Sequence, residues 1–474
     1  MSYGLYIGKN LTADGHAWLA GYGDEPSSHW LEIIPKKKHN IGKKITVGVT
    51  KNADMPGRLS RIPQVSQTHK HIRVSYSYYL GVPAPITNGG LNEYGVAVRD
   101  VWSTSRKELI NMTPKNQKGP NYSDLARIVL ERAKSAREAV TIVSDLIKKY
   151  GESTYGGNSH IFADSKEAWI MIQFAGGKGL WAAERLGPNS IRASRPGYIE
   201  EIPIHEKNNP NFLYSKNLIS FCKKKRWYSR GPFNVNKILG DRKGRWKGVK
   251  WIEEEIKKLA NKPNRIKLKD VIWAIRTSKL TGDTAGYGQI VPLVNPNYNN
   301  LRMLWHSPIG AVSSPFSPIF MGQTIIPEEF MMHRYLTVGE SHRFSNDRKK
   351  NEKDSLSFVS QGVESTVSAV YECKRLLYLI LQNKNRFLSL ATNAFEDREK
   401  KLINNTNKIL KTTKIFLKKN KKTLCKRMLN NFSITELRNG LKLVQTLSKN
   451  MEVKIRKSKG FTKNIKPKSF NQIW

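Results

Sequence analysis

Ser2-Tyr3-Gly4-Leu5-Tyr6-Ile7-Gly8, then Thr12-Ala13-Asp14-Gly15 and Ala17-Trp18-Leu19-Ala20-Gly21, stand at the start of the chain. Two short apolar runs flank an Asp-Gly pair, the strongest local signal for a β-hairpin. The reading is a first strand that starts directly behind Ser2 and a return strand that ends next to Asp24. Removal of Met1 would give Ser2 a free α-amine on the carbon that carries its hydroxymethyl group. Nucleophile and base then share one residue. An α-amine has a reference pKa of roughly 7.7–8.0, so near neutral pH part of it is free to accept the hydroxyl proton during attack on an amide. Met-Ser is also an ordinary start, and the reading depends on the motifs downstream. Asp24, on the return strand, is the candidate to orient the amine.

Six motifs occur in order: Gly4-Leu5-Tyr6-Ile7-Gly8-Lys9, Thr12-Ala13-Asp14-Gly15, the Gly-Tyr-Gly-Asp-Glu-Pro-Ser-Ser-His-Trp of residues 21–30, Asn88-Gly-Gly-Leu-Asn92-Glu-Tyr-Gly95, Tyr155-Gly-Gly-Asn-Ser-His160 and Thr281-Gly-Asp-Thr-Ala-Gly-Tyr-Gly288. With these the chain resembles the dipeptidase and secernin family of N-terminal-nucleophile (Ntn) peptidases, most densely over residues 1–345. The resemblance implies an α+β fold, a four-layer αββα sandwich, and hydrolysis of small peptides through an acyl-enzyme, with no cofactor.

One departure stands out. The family nucleophile is cysteine, and Ser2 occupies its position. A thiol is partly ionised near neutrality, whereas a hydroxyl depends wholly on its base. Three readings stay open: a serine hydrolase, a deliberately inactivated variant, and a natural relative without catalysis. Many relatives also carry arginine where this chain has Gly21, although some branches share the glycine. Carried over residue by residue, Ser2 is nucleophile and, through its amine, general base; Asp24 orients the amine. Asn92 is expected to donate to the oxyanion, its alternative being a turn-forming asparagine ahead of Gly95. Arg195, in Ala193-Ser194-Arg195-Pro196, and Asn158 are the substrate-binding candidates. Arg195 can clamp a carboxylate in a bidentate way, or be a surface arginine before proline.

The coarse pattern agrees with layered α+β structure. Residues 123–134 and 135–150 read as helices, the second opened by a Ser135-Ala-Arg-Glu138 capping box and stopped by Gly151. Extended segments at 160–163, 168–174 and 180–184 suit an antiparallel meander. Residues 269–275 read as a helix, so the motif from Thr281 falls in a loop, where Asp283 either shapes a pocket or caps a turn. The composition changes near residue 345, dividing the chain into a hydrolase-like region, 1–345, and a Lys-rich helical region, 346–474, expected to pack on it as a lid or a dimer-forming element.

Histidine spacing contains no His-Glu-x-x-His pattern, so no metal site is expected. His160 reads as a hydrogen-bonded strand residue. Cys222, Cys373 and Cys425 form neither a C-x-x-C pair nor an even disulfide set, which with the lack of a leader before Ser2 points to a cytoplasmic location. No run of about 18 apolar residues predicts a membrane span. The net charge of +43 is not explained by the resemblance. Residues 400–474 hold 21 Lys and Arg against Glu436 and Glu452 alone. Such a field attracts nucleic acid, but it is lysine-dominated, spread over the chain and without a nucleic-acid-binding motif. The expected partners are therefore a small peptide substrate and a possible second copy of the chain, with nucleic acid as the rival.

Overall fold

In the computed structural model, residues 3–23, 29–77, 79, 81–206, 208–261, 265–281, 286–332, 367–458 and 460–461 are described. Among them the strands make two large antiparallel sheets. The six-stranded sheet runs, in spatial order, β14 (Ile191–Ser194), β1 (Tyr3–Ile7), β2 (Ala17–Tyr22), β18 (Gly288–Leu293), β19 (Met303–Ser307) and β20 (Ser317–Phe320). The eight-stranded sheet runs β16 (Phe212–Tyr214), β13 (Trp181–Leu186), β12 (Ala168–Gln173), β11 (Asn158–Ala163), β10 (Ala97–Trp102), β9 (Ile86–Asn92), β8 (His71–Tyr76) and β3 (His29–Ile34). Three ribbons complete the set: β4 with β7 (Lys37–Lys38, Gln67–Thr68), β5 with β6 (Lys44–Val47, Ser60–Pro63) and β15 with β17 (Glu201–Ile202, Phe233–Asn234).

The Asp14-Gly15 signal marks a real hairpin. Gly15 takes φ +68°, and Tyr3 to Ile7 pair with Tyr22 to Trp18. Successive side chains alternate between faces. Tyr6 and Leu19 turn toward the second sheet, whereas Leu5, Ile7, Trp18 and Ala20 turn outward.

The helices of the body are α1 (Lys107–Asn111), α2 (Tyr122–Arg132), α3 (Ala136–Tyr150), α4 (Leu218–Lys224), α5 (Val235–Leu239), α6 (Lys247–Ala260) and α7 (Leu268–Arg276). Between the sheets, Leu19, Val291 and Leu304 meet Leu31, Val74, Ile161 and Ile170. On the outer face of the six-stranded sheet, Val249 and Ile252 of α6 and Ile272 of α7 cover Trp18, Ile290 and Trp305. On the far face of the eight-stranded sheet, Leu125 and Val129 of α2 and Val140 of α3 cover Val98, Phe162 and Trp169. Helix, sheet, sheet, helix is the αββα order that the resemblance implied.

Local capping explains where α2 and α3 begin. Asn121 Oδ1 accepts from Asp124 N (3.0 Å), and the Asp124 carboxylate accepts from Asn121 N (3.2 Å). Ser135 Oγ accepts from Glu138 N (3.1 Å), but the Glu138 carboxylate accepts from Lys134 N (2.7 Å), so the reciprocal half of the box closes one residue early.

Three further helices, Ala369–Gln382, Lys384–Lys418 and Lys422–Arg456, pack on one another and over β20. Ser433 Oγ donates to Pro318 O (2.9 Å), and Asn430 Oδ1 accepts from Thr324 N (2.9 Å). The composition change near residue 345 lies outside the described residues. Among the described residues no helix is long and apolar enough to cross a membrane. Cys222, Cys373 and Cys425 are buried and free.

Three buried histidines set a pH dependence. Burial lowers the His71 and His160 rings to about 4 and the His306 ring to about 3. In the unfolded chain each titrates near 6.5, so between about 6.5 and 4 the unfolded state binds more protons and stability falls as pH falls. At pH 5 the expected cost is roughly 2 kcal/mol per ring. Urea midpoints at pH 7 and pH 5 check this: the midpoint should drop, and His160→Gln should shrink the drop.

Candidate functional site

One end of the two sheets gathers the start of β1 and the end of β2, close in sequence to Ser2 and Asp24. Tyr3 lies opposite Tyr22, and Gly4 opposite Ser194. Gly23 N donates to Tyr287 O (3.0 Å), and Gly286 N donates to Gly23 O (2.8 Å). From the other sheet, Val101 and Ile161 press on Gly4: a Cβ there would lie 2.9 Å from Ile161 Cδ1 and 3.3 Å from Val101 Cγ2. Ser159 packs against Gly197, and Ser103 Oγ donates to Gly197 O (3.2 Å). The start of β1, the end of β2, the end of β14 and the start of β18 thus meet β10 and β11. Ser2, Asp24 and Asp283 lie outside the described residues.

Arg99, at the centre of β10, is absent from the candidates that the sequence supplies. Its side chain is fully buried and turns toward the six-stranded sheet. Nη2 donates to Tyr22 O (2.8 Å), Nη1 donates to the Tyr287 hydroxyl, and the guanidinium carbon is 5.1 Å from the Tyr287 ring centre. A Cβ on Gly21 would fall 3.0 Å from Arg99 Nε and 2.2 Å from Tyr3 O. Glycine at 21 therefore makes room for this guanidinium beside β1. Among the described residues Arg99 has no carboxylate partner, so within that set its positive potential at the strand end is uncompensated. The available signal is the charged pair Arg99-Asp100 inside the otherwise apolar stretch of residues 96–102 that comes after the Asn92–Gly95 turn.

Arg195 follows β14 at the same end and is buried. Its guanidinium stacks 4.2 Å over the Trp246 ring and lies beside Tyr22. Burial pushes the Tyr22 phenol up to about 12, and the neighbouring Arg195 and Arg99 cations partly offset that rise. The Tyr22 hydroxyl donates to Leu280 O. Arg195 Nη2 is buried with no partner among the described residues. The alternation of β14, with Ala193 packed in the α6 layer, keeps Arg195 on the outward side of its sheet.

Asn158 starts β11, opposite Trp102 and Gln173. Its Oδ1 accepts from the Tyr155 hydroxyl (3.2 Å), and Nδ2 donates to Ser159 O (3.3 Å). It shares a face with His160, whose Nε2 donates to Tyr122 O (3.0 Å) at the start of α2. Asn158 and Arg195 are thus brought to one end of the sandwich, but on its opposite outer faces.

Asn92 requires a correction. Both of its amide protons are already used, donated to Leu130 O (3.2 Å) and Ala133 O (2.7 Å) at the end of α2. Its Oδ1 accepts from Tyr94 N and Val96 N, each at 3.0 Å, which closes the β9–β10 turn. Gly89, not Asn92, pairs with Arg99, which puts Asn92 about 10 Å further along the strand, away from Tyr3. No donor is left for an oxyanion. Asn92→Ala should therefore act on stability: four backbone groups lose a buried partner, and about 2–4 kcal/mol is the expected loss by urea denaturation. An unchanged midpoint would refute this role.

The model of peptidase family C69 matches residues 7–247, a span that begins at the last residue of β1 and holds β2, β10, β11 and β14. The chain belongs to peptidase family C69. Over 131 residues it is 35% identical to a probable dipeptidase B of Lactococcus lactis, covering 27% of this chain and 26% of that relative. It is 26% identical over 246 residues to a probable dipeptidase B of Streptococcus pyogenes, covering 49% and 45%. It is 25% identical over 250 residues to a probable dipeptidase A of the same species, covering 50% of each. This C69 chain thus matches no more than about half the length of these curated relatives. Among solved structures, penicillin V acylase from Agrobacterium tumefaciens aligns at a TM-score of 0.38 and 13% identity, covering 68% of this chain and 86% of that one. A mutant of conjugated bile acid hydrolase from Clostridium perfringens aligns at 0.29 and 12% identity, covering 68% and 92%.

Proposed function

We propose that this C69 chain is an amide hydrolase of the dipeptidase type, with Ser2 as nucleophile once Met1 is removed. The observation that carries the reading is the family match over residues 7–247, supported by relatives named as dipeptidases. The Ser2 hydroxyl attacks the scissile carbonyl carbon and its proton passes to the α-amine. The amine then protonates the leaving nitrogen as the C–N bond breaks. The ester left on Ser2 is hydrolysed by water, activated by the same amine. Asp24 orients the amine. The Arg99 cation, held beside Tyr3 with no carboxylate partner among the described residues, disfavours a second positive charge nearby and so favours the free amine. Arg195, with a buried donor to spare among those residues, is the proposed partner of a substrate carboxylate, whereas Asn158, on the opposite outer face, is not proposed to touch the same small substrate.

Serine in place of the family's cysteine supports a second reading, a relative that binds peptides without cleaving them. Intact-mass measurement and a dipeptide panel separate the two. The hydrolase reading expects a protein lacking Met1 that releases free amino acids. Retained Met1, or a processed protein that cleaves none of the panel, refutes it.

A further inference from the structure

Acidic side chains enclosed by this basic protein have partners almost wherever they occur among the described residues. Glu32 pairs with Arg73 (2.8 Å), Glu184 with Arg192 (2.8 Å), Glu399 with Arg276 (2.6 Å), and Glu131 accepts from Gln64 (2.9 Å). Glu152 departs from this pattern. It follows Gly151 at the end of α3, is half-buried, and makes no hydrogen bond or ion pair with any described residue. Desolvation pushes its carboxyl up to about 8, and no neighbouring cation offsets the rise.

Glu152 lines a groove of about 900 Å³. Its apolar wall includes Ile147, Tyr150, Phe174 and Trp181. Its rim carries the exposed side chains of Lys118, Lys148, Lys178 and Lys216, with Asp145 as the other acid. The rim cations are thus available to an anion, while the half-buried carboxyl has no donor among the described residues. A cation brought to this carboxyl favours loss of its proton and then donates an N–H to the carboxylate, a charge-assisted hydrogen bond that the described residues do not supply. An unpartnered carboxyl and several lysines thus line one aromatic-walled space, the charge types that the two termini of a short peptide would meet. Trp181 lies opposite Gln173, which lies opposite Asn158, so the Trp181 wall of the groove is two strands from Asn158.

We propose that this groove binds a zwitterionic short peptide or amino acid with an apolar side chain, its ammonium on Glu152 and its carboxylate toward the rim lysines. The site is separate from the one proposed for hydrolysis. The test uses the full chain carrying Ser2→Ala, so that the probe survives, with the dipeptide Phe-Leu titrated by calorimetry. Its N-acetyl derivative, which lacks the ammonium, should bind at least about tenfold more weakly, and Glu152→Gln should weaken the parent dipeptide by a similar factor. The double variant Lys178→Ala/Lys216→Ala should weaken Phe-Leu but not its C-terminal amide. Equal binding of the dipeptide and its N-acetyl form overturns the proposal, as does no saturable binding. An isotherm unchanged by Glu152→Gln overturns it too, because the dipeptide would then sit elsewhere. The Ser2→Ala background separates this outcome from the fate of the hydrolase reading, since binding here needs no catalysis.

Discussion

Ser2→Ala is expected to lower kcat for dipeptide hydrolysis by at least about 10⁴-fold with little change in KM, because removing a nucleophile eliminates the covalent route and leaves substrate contacts in place. Ser2→Cys is the informative companion. It keeps the amine and the chain geometry and replaces a hydroxyl, which depends on its base, by a thiol that is partly ionised near neutral pH. Activity should be retained or raised. If alanine costs nothing, the chemistry does not pass through residue 2. If alanine and cysteine are equally dead, the site around Tyr3, Tyr22 and Arg99 does not support attack, and the silent-relative reading gains. A Ser2→Cys protein far more active than the parent would make the present serine an impaired substitute.

The second large effect is on stability. Glu399, in helix Lys384–Lys418, accepts two hydrogen bonds from Arg276 at the end of α7, at 2.6 and 2.7 Å, and a third from Phe316 N (2.7 Å). Arg276 Nε donates to Ala311 O (2.7 Å), and both side chains are 3% exposed. The pair ties the C-terminal helices to the body just ahead of the motif at Thr281. Glu399→Ala strands a buried guanidinium and a backbone N–H, and a loss of about 3–5 kcal/mol is expected. Arg276→Met with Glu399→Leu removes both charges at similar volume and should recover most of that loss, because two desolvated ions disappear together. Chemical denaturation of the single and double variants decides this. Equal losses in both would mean the contact acts through packing and not through charge.

Legibility in the sequence tracks the range of the interactions. The β1–β2 hairpin is readable because Asp14-Gly15 and the period-two alternation are local, and α3 is readable because Ser135, Glu138 and Gly151 act on their own helix ends. Arg99 is not, since only the meeting of two sheets puts its guanidinium over Gly21. Asn92 misleads for the same reason. Its motif fixes a turn, but whether its amide faces a cleft or the last carbonyls of α2 depends on where a helix beginning 30 residues later comes to rest. For Asn158, the face it takes is set by strand parity, which a shift of one residue reverses. Glu399 carries no local signal, because its partner is 123 residues away.

Catalysis as proposed requires that residue 2, freed of Met1, supply both the attacking oxygen and the proton acceptor. Incubating the protein with an activated acyl ester and mapping the adduct by mass spectrometry puts that requirement to the test. One acyl group is expected on the Ser2 oxygen of a chain that lacks Met1, removed by water over time and absent from Ser2→Ala. An adduct on another residue, or a chain that keeps Met1 and still hydrolyses dipeptides, would contradict it.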